Sequence, residues 1–580
     1  MAPAAEPAVA APATPLCLEL PGTIIPLQWL LLPATDVRGR RPFRADAVFA
    51  RYLLDPDAPP PLAGESLTGE TGESQSWEAR TAEPDGTLSG DFAWAYAEVA
   101  SPAARVMLAE LAGAGALFVN GDGAAGDPYR AGFGVAPVAL EAGVNRLYVG
   151  GVRDGFRLVL REPEHALLLE LSDTTAPDLV AGEAPAGEIA VTLINASLEA
   201  VPALTLATGS PARVAGAEAE AGAFARLVMP ADELPGLPPL GVLKLPARFA
   251  WAAGAPPPVA GQGYELVVSF GGHPGEPERS ETLRLSCKGQ GVARRVTRRS
   301  PIDDSLQEYA LLEPAPAALA HPPGLVLTLH GAGVDALGQA ASYAPKAGWW
   351  IVAPTNRRPF GFDWQDWGRT DAYETLEHAL ALSGADASRV ALTGHSMGGH
   401  GSWHLAVNDA DRFLAVGPSA GWSSFDSYPG RPAGALAELW HAADGAGDTA
   451  GLLPNLVNTP AYVLHGEADD NVPASEGRAL HEALTAAVEA ASARGLPAVA
   501  PQLHVQPGAG HWWDGEAAPG ADCVDWPPLF ALFDGAAAAS RQPPASEDLA
   551  SAALQLLLAQ QVLGRPVAAF PARFEWICAD

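Results

Sequence analysis

The chain has 580 residues, more than one hydrophobic core ordinarily organises, so two or three domains are expected. Its formal net charge of −32, with 67 acidic against 35 basic residues, excludes an electrostatic nucleic-acid binder and disfavours an anionic membrane surface. Four cysteines with no CxxC spacing make neither a disulfide framework nor a zinc site, although a Cys523–Cys578 bridge is conceivable.

The first residues, MAPAAEPAVAAPATP, have no basic region followed by an apolar run, so residues 1–20 read as a disordered leader. No stretch reaches ~18 uncharged apolar residues, which argues against membrane insertion. Location follows from whether a signal has been removed: secreted or periplasmic if so, otherwise cytoplasmic. The alanine- and arginine-rich composition fits a GC-rich bacterial genome.

From residue 21 to about 290 there is no long amphipathic helix. Short apolar runs such as Ile24–Leu32, Ala116–Asn120, Asn145–Val149, Glu188–Ile194, Tyr264–Phe270 and Thr282–Cys287 alternate with Gly, Pro, Asn and Asp. That pattern predicts β-sandwiches. Residues 21–172 are assigned to one and 173–295 to a second of immunoglobulin-like character. Within the first, Leu117-Phe-Val-Asn-Gly-Asp-Gly, Gly126-Asp-Pro-Tyr-Arg-Ala-Gly and Pro137–Leu147 resemble jelly-roll modules of galactose-binding-like type. The resemblance implies a structural or orienting role first, and carbohydrate or polymer binding second.

From 296 to 540 the pattern changes to alternating strands and helices, which predicts an α/β-hydrolase domain, a mostly parallel sheet with helices on both faces. Gly324–Leu329 and Trp349–Ala353 read as buried strands. Asp371-Ala-Tyr-Glu374 reads as a capping box opening a helix through Leu382, stopped by Gly384. Val390–Thr393, Pro460–His465 and Gln502–Val505 follow as strands, with helices over Met397–Val407 and Ala474–Ala493. Residues 541–580 form a C-terminal extension with a candidate helix over Leu549–Leu563.

Gly394-His395-Ser396-Met397-Gly398 lies between a strand and a helix, the setting that gives G-x-S-x-G its meaning as a nucleophile elbow. His330-Gly-Ala-Gly333 follows an earlier strand, so the N–H groups of Met397 and of Ala332 or Gly333 are candidates for an oxyanion hole. His330 itself reads as a structural residue of that loop. In this fold the acid and base follow the serine. Asp469, after the strand ending at His465, takes the acid position, with Asp470 and Glu467 as competitors. His481 falls in a helix and His504 in a strand, which leaves His511, in the loop Gly508-Ala-Gly-His511, as the base. No histidine spacing suggests a catalytic metal, and no cofactor is expected.

The set His330-Gly, Gly394-His-Ser-Met-Gly-Gly399, His465-Gly-x-x-Asp-Asp-Asn-Val-Pro473 and Gly510-His511 resembles the catalytic domain of the prolyl oligopeptidase and dipeptidyl-peptidase family. The same domain type serves bacterial esterases. The resemblance implies Ser396, Asp469 and His511 as a triad. The chain departs from the peptidases in lacking propeller repeats and paired amine-gripping glutamates. Aromatic residues crowd the expected cleft: Phe360, Trp364, Trp367, Trp422, Trp512 and Trp513, with Arg357 or Arg358 as a carboxylate partner unless paired to Asp363 or Asp366. The expected reaction is hydrolysis of a small-molecule or polymer-derived ester. The alternatives are a peptidase or amidase and, least favoured, a non-catalytic carbohydrate- or polymer-binding protein.

Overall fold

The computed structural model describes residues 16–33, 47–55, 58–68, 74–90, 92–183, 186–202, 204–207, 213–214, 225–228, 236–251, 254, 256–357, 363–428, 438, 442, 445–514 and 522–539. Residues 1–15 of the expected leader and the predicted helix Leu549–Leu563 lie outside the described residues, as do Arg358, Phe360 and Cys578. The last residues assigned to that leader are not disordered: Cys17–Leu20 form a strand paired with Thr23–Pro26.

A β-rich region precedes an α/β-hydrolase domain. In the first part a ten-stranded antiparallel assembly is built on two long strands, Arg105–Val119 and Gly143–Arg161. Their pairing shifts register between Val152 and Arg157, beside Gly151 and Gly155, both at positive φ. The bend lets single strands serve both sides of a core containing Trp29, Met107, Leu117, Leu147 and Phe156. A second core, containing Ile189, Val191, Leu193, Phe249, Leu266 and Phe270, lies between a four-stranded and a five-stranded sheet. The strand Leu167–Thr175 belongs to this four-stranded sheet, through pairing with Ala186–Asn195. The boundary drawn at 172/173 from composition therefore cuts a strand, and the division belongs before Leu167. Ser172 and Asp173 sit at a register irregularity inside the strand.

The hydrolase sheet has eight strands: β1 (Arg294–Arg299), β2 (Leu306–Leu312), β3 (Gly324–Leu329), β4 (Trp349–Pro354), β5 (Val390–His395), β6 (Ala415–Ser419), β7 (Tyr462–Gly466) and β8 (Gln502–Gln506). Their spatial order is β1-β2-β4-β3-β5-β6-β7-β8, with β2 antiparallel to its neighbours and the remaining pairs parallel. The sheet thus begins at Arg294, two residues before the predicted boundary at 296. Strands β3, β5 and β6 are buried throughout, as strands covered on both faces must be. One face packs on α2 (Asp366–Ser383), α3 (Met397–Asn408) and α4 (Ala474–Ser492), and the other on α1 (Ala336–Ala341) and α5 (Pro527–Ala539).

Helix α2 ends at Gly384 in a left-handed cap, as expected, but it starts at Asp366 rather than Asp371. Asp371 and Glu374 do not form a capping box. Arg298 of β1 is buried, and its guanidinium binds the Asp371 carboxylate and, at 2.6 Å, that of Glu374. Asp371 also accepts the backbone N–H of Thr355 and Arg357, each at 3.1 Å. A buried cation that needs two carboxylates claims both side chains that resembled a helix start.

Candidate active site

Strand β5 delivers the chain into the site and α3 carries it away. The turn between them is tight enough to set Ser396 at φ 60°, ψ −117°, a conformation an L-residue adopts at a cost of about 1–3 kcal/mol. The neighbouring glycines make that turn possible. A Cβ on Gly398 would collide with the Leu329 carbonyl of β3, and one on Gly399 with the Ser419 carbonyl of β6. The Ser396 N–H is tied to the Ser419 carbonyl at 2.9 Å, which fixes the elbow to the sheet.

Three side chains from three loops meet here. His511 Nε2 lies 2.9 Å from Ser396 Oγ, and His511 Nδ1 lies 2.8 Å from Asp469 Oδ2. The other Asp469 oxygen accepts the N–H groups of Asn471 at 2.9 Å and Val472 at 2.8 Å. Burial works to raise the Asp469 carboxyl, but hydrogen bonds from His465 and His511 and the Val472 amide hold it well below the usual carboxylate range. It therefore remains an anion beside the imidazole. Asp470 is exposed, and Glu467 instead accepts the Gly508 N–H at 2.9 Å, bracing the loop that carries His511. His481 bonds the Pro501 carbonyl and His504 the Gln506 side chain, so neither belongs to the site.

The loop after β3 lies directly on the serine: a Cβ added to Gly331 would be 3.3 Å from Ser396 Cβ and 3.9 Å from its Oγ. Gly333 holds φ 79°, which favours glycine. Behind the loop, Trp364 donates Nε1–H to the His330 carbonyl at 3.1 Å and packs edge-on against the buried His330 ring.

The expected aromatic wall is corrected in part. Trp364 and Trp422 are core residues: Trp364 is committed to His330, and Trp422 stacks on buried His400 with centroids 5.0 Å apart. Trp513 is partly buried against the core on the α5 side. Among the described members of that set, Trp367, 56% exposed, and Trp512, 49% exposed, present the most surface to solvent. Arg357 is occupied, with Ser300 at 2.8 Å, Ser305 at 3.0 Å and Asp303 at 3.4 Å, and it sits over the Trp367 ring. It pairs with neither Asp363 nor Asp366 and offers no open carboxylate site.

Two contacts had no sequence signal strong enough to single out. His395, one residue before Ser396, is buried with its Nδ1 3.0 Å from Ser419 Oγ, and its ring contacts those of Trp512 and His511. Burial holds it neutral, pushed down to about 3. His465 places Nε2 3.0 Å from the Val472 carbonyl and 3.4 Å from Asp469. Among the described residues no group of three or more His, Cys, Asp or Glu could hold a metal ion, and no helix is long and apolar enough to cross a membrane.

This arrangement has a match in sequence. The pattern of the Prolyl oligopeptidase family fits residues 357–521, a span that holds the elbow, Asp469 and His511. A protein described as an uncharacterized secreted protein of Arthroderma benhamiae is 27% identical over 187 residues, 29% of this chain and 18% of its own length. The chain therefore covers less than a fifth of that relative. Among solved structures, an S-formylglutathione hydrolase from Agrobacterium tumefaciens is 19% identical over 42% of this chain and 92% of its own, with a TM-score of 0.30. A thermostable esterase is 14% identical over 63% and 98%, also at 0.30. An acylaminoacyl peptidase from Pyrococcus horikoshii is 15% identical over 62% and 56%, at 0.31.

Proposed function

We propose that the chain is a serine hydrolase that cleaves carboxylic esters through an acyl-enzyme on Ser396, with His511 as general base and Asp469 as the acid that orients it. The observation that carries the reading is the unbroken chain from Asp469 through His511 to Ser396, with both hydrogen bonds below 3 Å. Ser396 Oγ attacks the acyl carbon as its proton passes to His511 Nε2. The C–O bond to the alcohol then breaks, and the same proton is delivered to the leaving oxygen. Water repeats the sequence to release the acid and regenerate the serine. The anionic Asp469 keeps the Nδ1–H tautomer and stabilises the imidazolium formed in each half-reaction. Oxyanion donors come from Met397 at the start of α3 and from Ala332 or Gly333, each worth roughly 3 kcal/mol in the transition state.

Preference for esters over peptides rests on what surrounds this centre. An amide needs its amine leaving group protonated in close alignment, and a misplacement of ~1 Å costs ~100-fold. The described residues before β1 are arranged mainly in β-sheets, and Trp512, beside His511, is 49% exposed. The family match itself favours the second reading, a peptidase or amidase using the same residues.

A fluorophosphonate probe should label the wild-type protein and leave Ser396→Ala unlabelled; equal labelling would remove Ser396 from its role. Comparing kcat/KM for unactivated alkyl esters and peptidyl amides of matched acyl group then separates the two readings. Selective peptide cleavage with negligible ester turnover would make the peptidase reading the correct one.

A further inference from the structure

We propose that Tyr129, from the N-terminal β-sandwich, is a specificity-determining residue of the hydrolase site, packing its ring against an aromatic or bulky apolar group of the substrate. The proposal rests on the reading of Ser396 as nucleophile, but not on whether the substrate is an ester or an amide.

The geometry begins at Gly333. A Cβ built there would lie 3.4 Å from Tyr129 Cδ1 and 3.7 Å from Cε1, so this ring touches the loop that flanks the serine. Gly331 of the same loop is in contact distance of Ser396. Tyr129 is therefore separated from the nucleophile by one short loop, although it belongs to another domain and is only half-buried.

The segment that presents it is held rigidly. Gly113 donates its N–H to the Asp127 carbonyl at 2.7 Å, and the Asp127 carboxylate accepts the Gly132 N–H at 2.7 Å. Gly126 donates to the Gly115 carbonyl at 2.9 Å, and Arg130 Nη2 reaches the Gly155 carbonyl at 2.9 Å. Gly126 and Gly134 lie so close to the strand Arg105–Val119 that a Cβ on either would collide with its carbonyl oxygens. Arg130 holds φ 57°, turning the chain back after the tyrosine. A segment pinned at both ends and at its turn presents one ring at one place, which is what a pre-organised contact requires. Trp512, beside the catalytic histidine and half exposed, offers a second ring near the same serine. A planar or apolar substituent packed against these rings gains a contact that a small alkyl group cannot make.

The test uses the full-length protein and two fluorophosphonates of equal reactivity, one bearing a phenylalkyl group and one an ethyl group. The readout is the ratio of their second-order labelling rates. The wild type should favour the phenylalkyl probe. Tyr129→Ala should lower that ratio about tenfold, the scale of a lost pocket contact, while Tyr129→Phe keeps it. Tyr129→Leu retains apolar bulk without the flat face and serves if the alanine variant loses its thermal transition. Val144→Ala, an exposed change elsewhere in the same sandwich, should leave the ratio as it was. A wild type that does not discriminate between the probes, or a Tyr129→Ala variant with an unchanged ratio, overturns the proposal. Labelling that persists in Ser396→Ala overturns the underlying assignment instead, so the two failures are distinct.

Discussion

Ser396 stands at φ 60° and ψ −117°, outside the left-handed helical region, and the surrounding residues hold it there. Gly394, Gly398 and Gly399 each lie against the carbonyl oxygen of a neighbouring strand or turn. Substituting Gly398 by Ala should therefore displace the elbow rather than merely lower helix propensity. The expected result is loss of fluorophosphonate labelling together with a lower unfolding midpoint, measured on the same sample. The two adjacent aspartates offer a sharper discrimination. Asp469→Asn keeps the shape of the side chain but favours the wrong imidazole tautomer, and an activity loss of about 10⁴-fold is expected. Asp470→Asn, on the exposed side, should cost less than tenfold by the same reasoning. Steady-state kinetics on one ester decides; the reverse order would move the acid to Asp470. Both aspartates were legible as candidates, because the acid must follow a strand and precede the histidine. The contribution of His465 was not, since a histidine at a strand end carries no mark of the carboxylate it will touch four residues on.

At the scale of elements, sequence periodicity identified β3, β5, β7 and the body of α4 because buried parallel strands are short apolar runs and α4 has one apolar face. It misplaced the start of α2 because Asp371 and Glu374 have the right types and spacing for a cap. Their actual partner, Arg298, is distant in the chain and in another element. The same blindness affected Trp364 and Trp422, where a tryptophan near a motif looks alike whether it lines a cleft or fills the core beneath one. The ion cluster yields a direct test. Replacing Arg298 by Leu removes the cation that binds both carboxylates and leaves the more distant Arg357, 3.9 Å from Glu374, which costs about 3–5 kcal/mol. The denaturation midpoint should fall accordingly. Adding Asp371→Asn and Glu374→Gln should recover part of the loss, since neither side chain then needs the missing cation. A single variant as stable as the wild type would mean that water reaches the cluster.

Across the whole molecule, the sandwich ending near residue 290 is joined to the hydrolase sheet by charge as well as by chain. Asp178 accepts the Arg295 N–H at 2.8 Å, Glu188 pairs with Arg299 at 2.6 Å, and Thr297 Oγ1 donates to the Glu188 carbonyl at 3.0 Å. At the centre of this seam Glu308 of β2 accepts the Ala176 N–H at 3.3 Å and faces Arg295 at 3.5 Å. Burial pushes its carboxyl up to about 7, against the opposing pull of Arg295 and Lys244, while Asp335 acts in the same direction as burial. The consequence for stability follows from proton counting. In the unfolded chain the group titrates near ~4.3. Between there and about 7 the folded protein holds a proton that the unfolded chain has lost, so stability must fall as pH rises through that window. Below it both states are protonated and Glu308 contributes no slope. Glu308→Gln keeps the shape and an acceptor for the Ala176 N–H but removes the titration. Thermal midpoints of both proteins, measured from pH 5 to pH 8, should diverge: the wild type declines relative to the variant as pH rises. The other buried acids titrate alike in both proteins and cancel in the difference. Parallel curves would mean that Glu308 ionises as an ordinary glutamate, paired with Arg295 across the seam throughout the range.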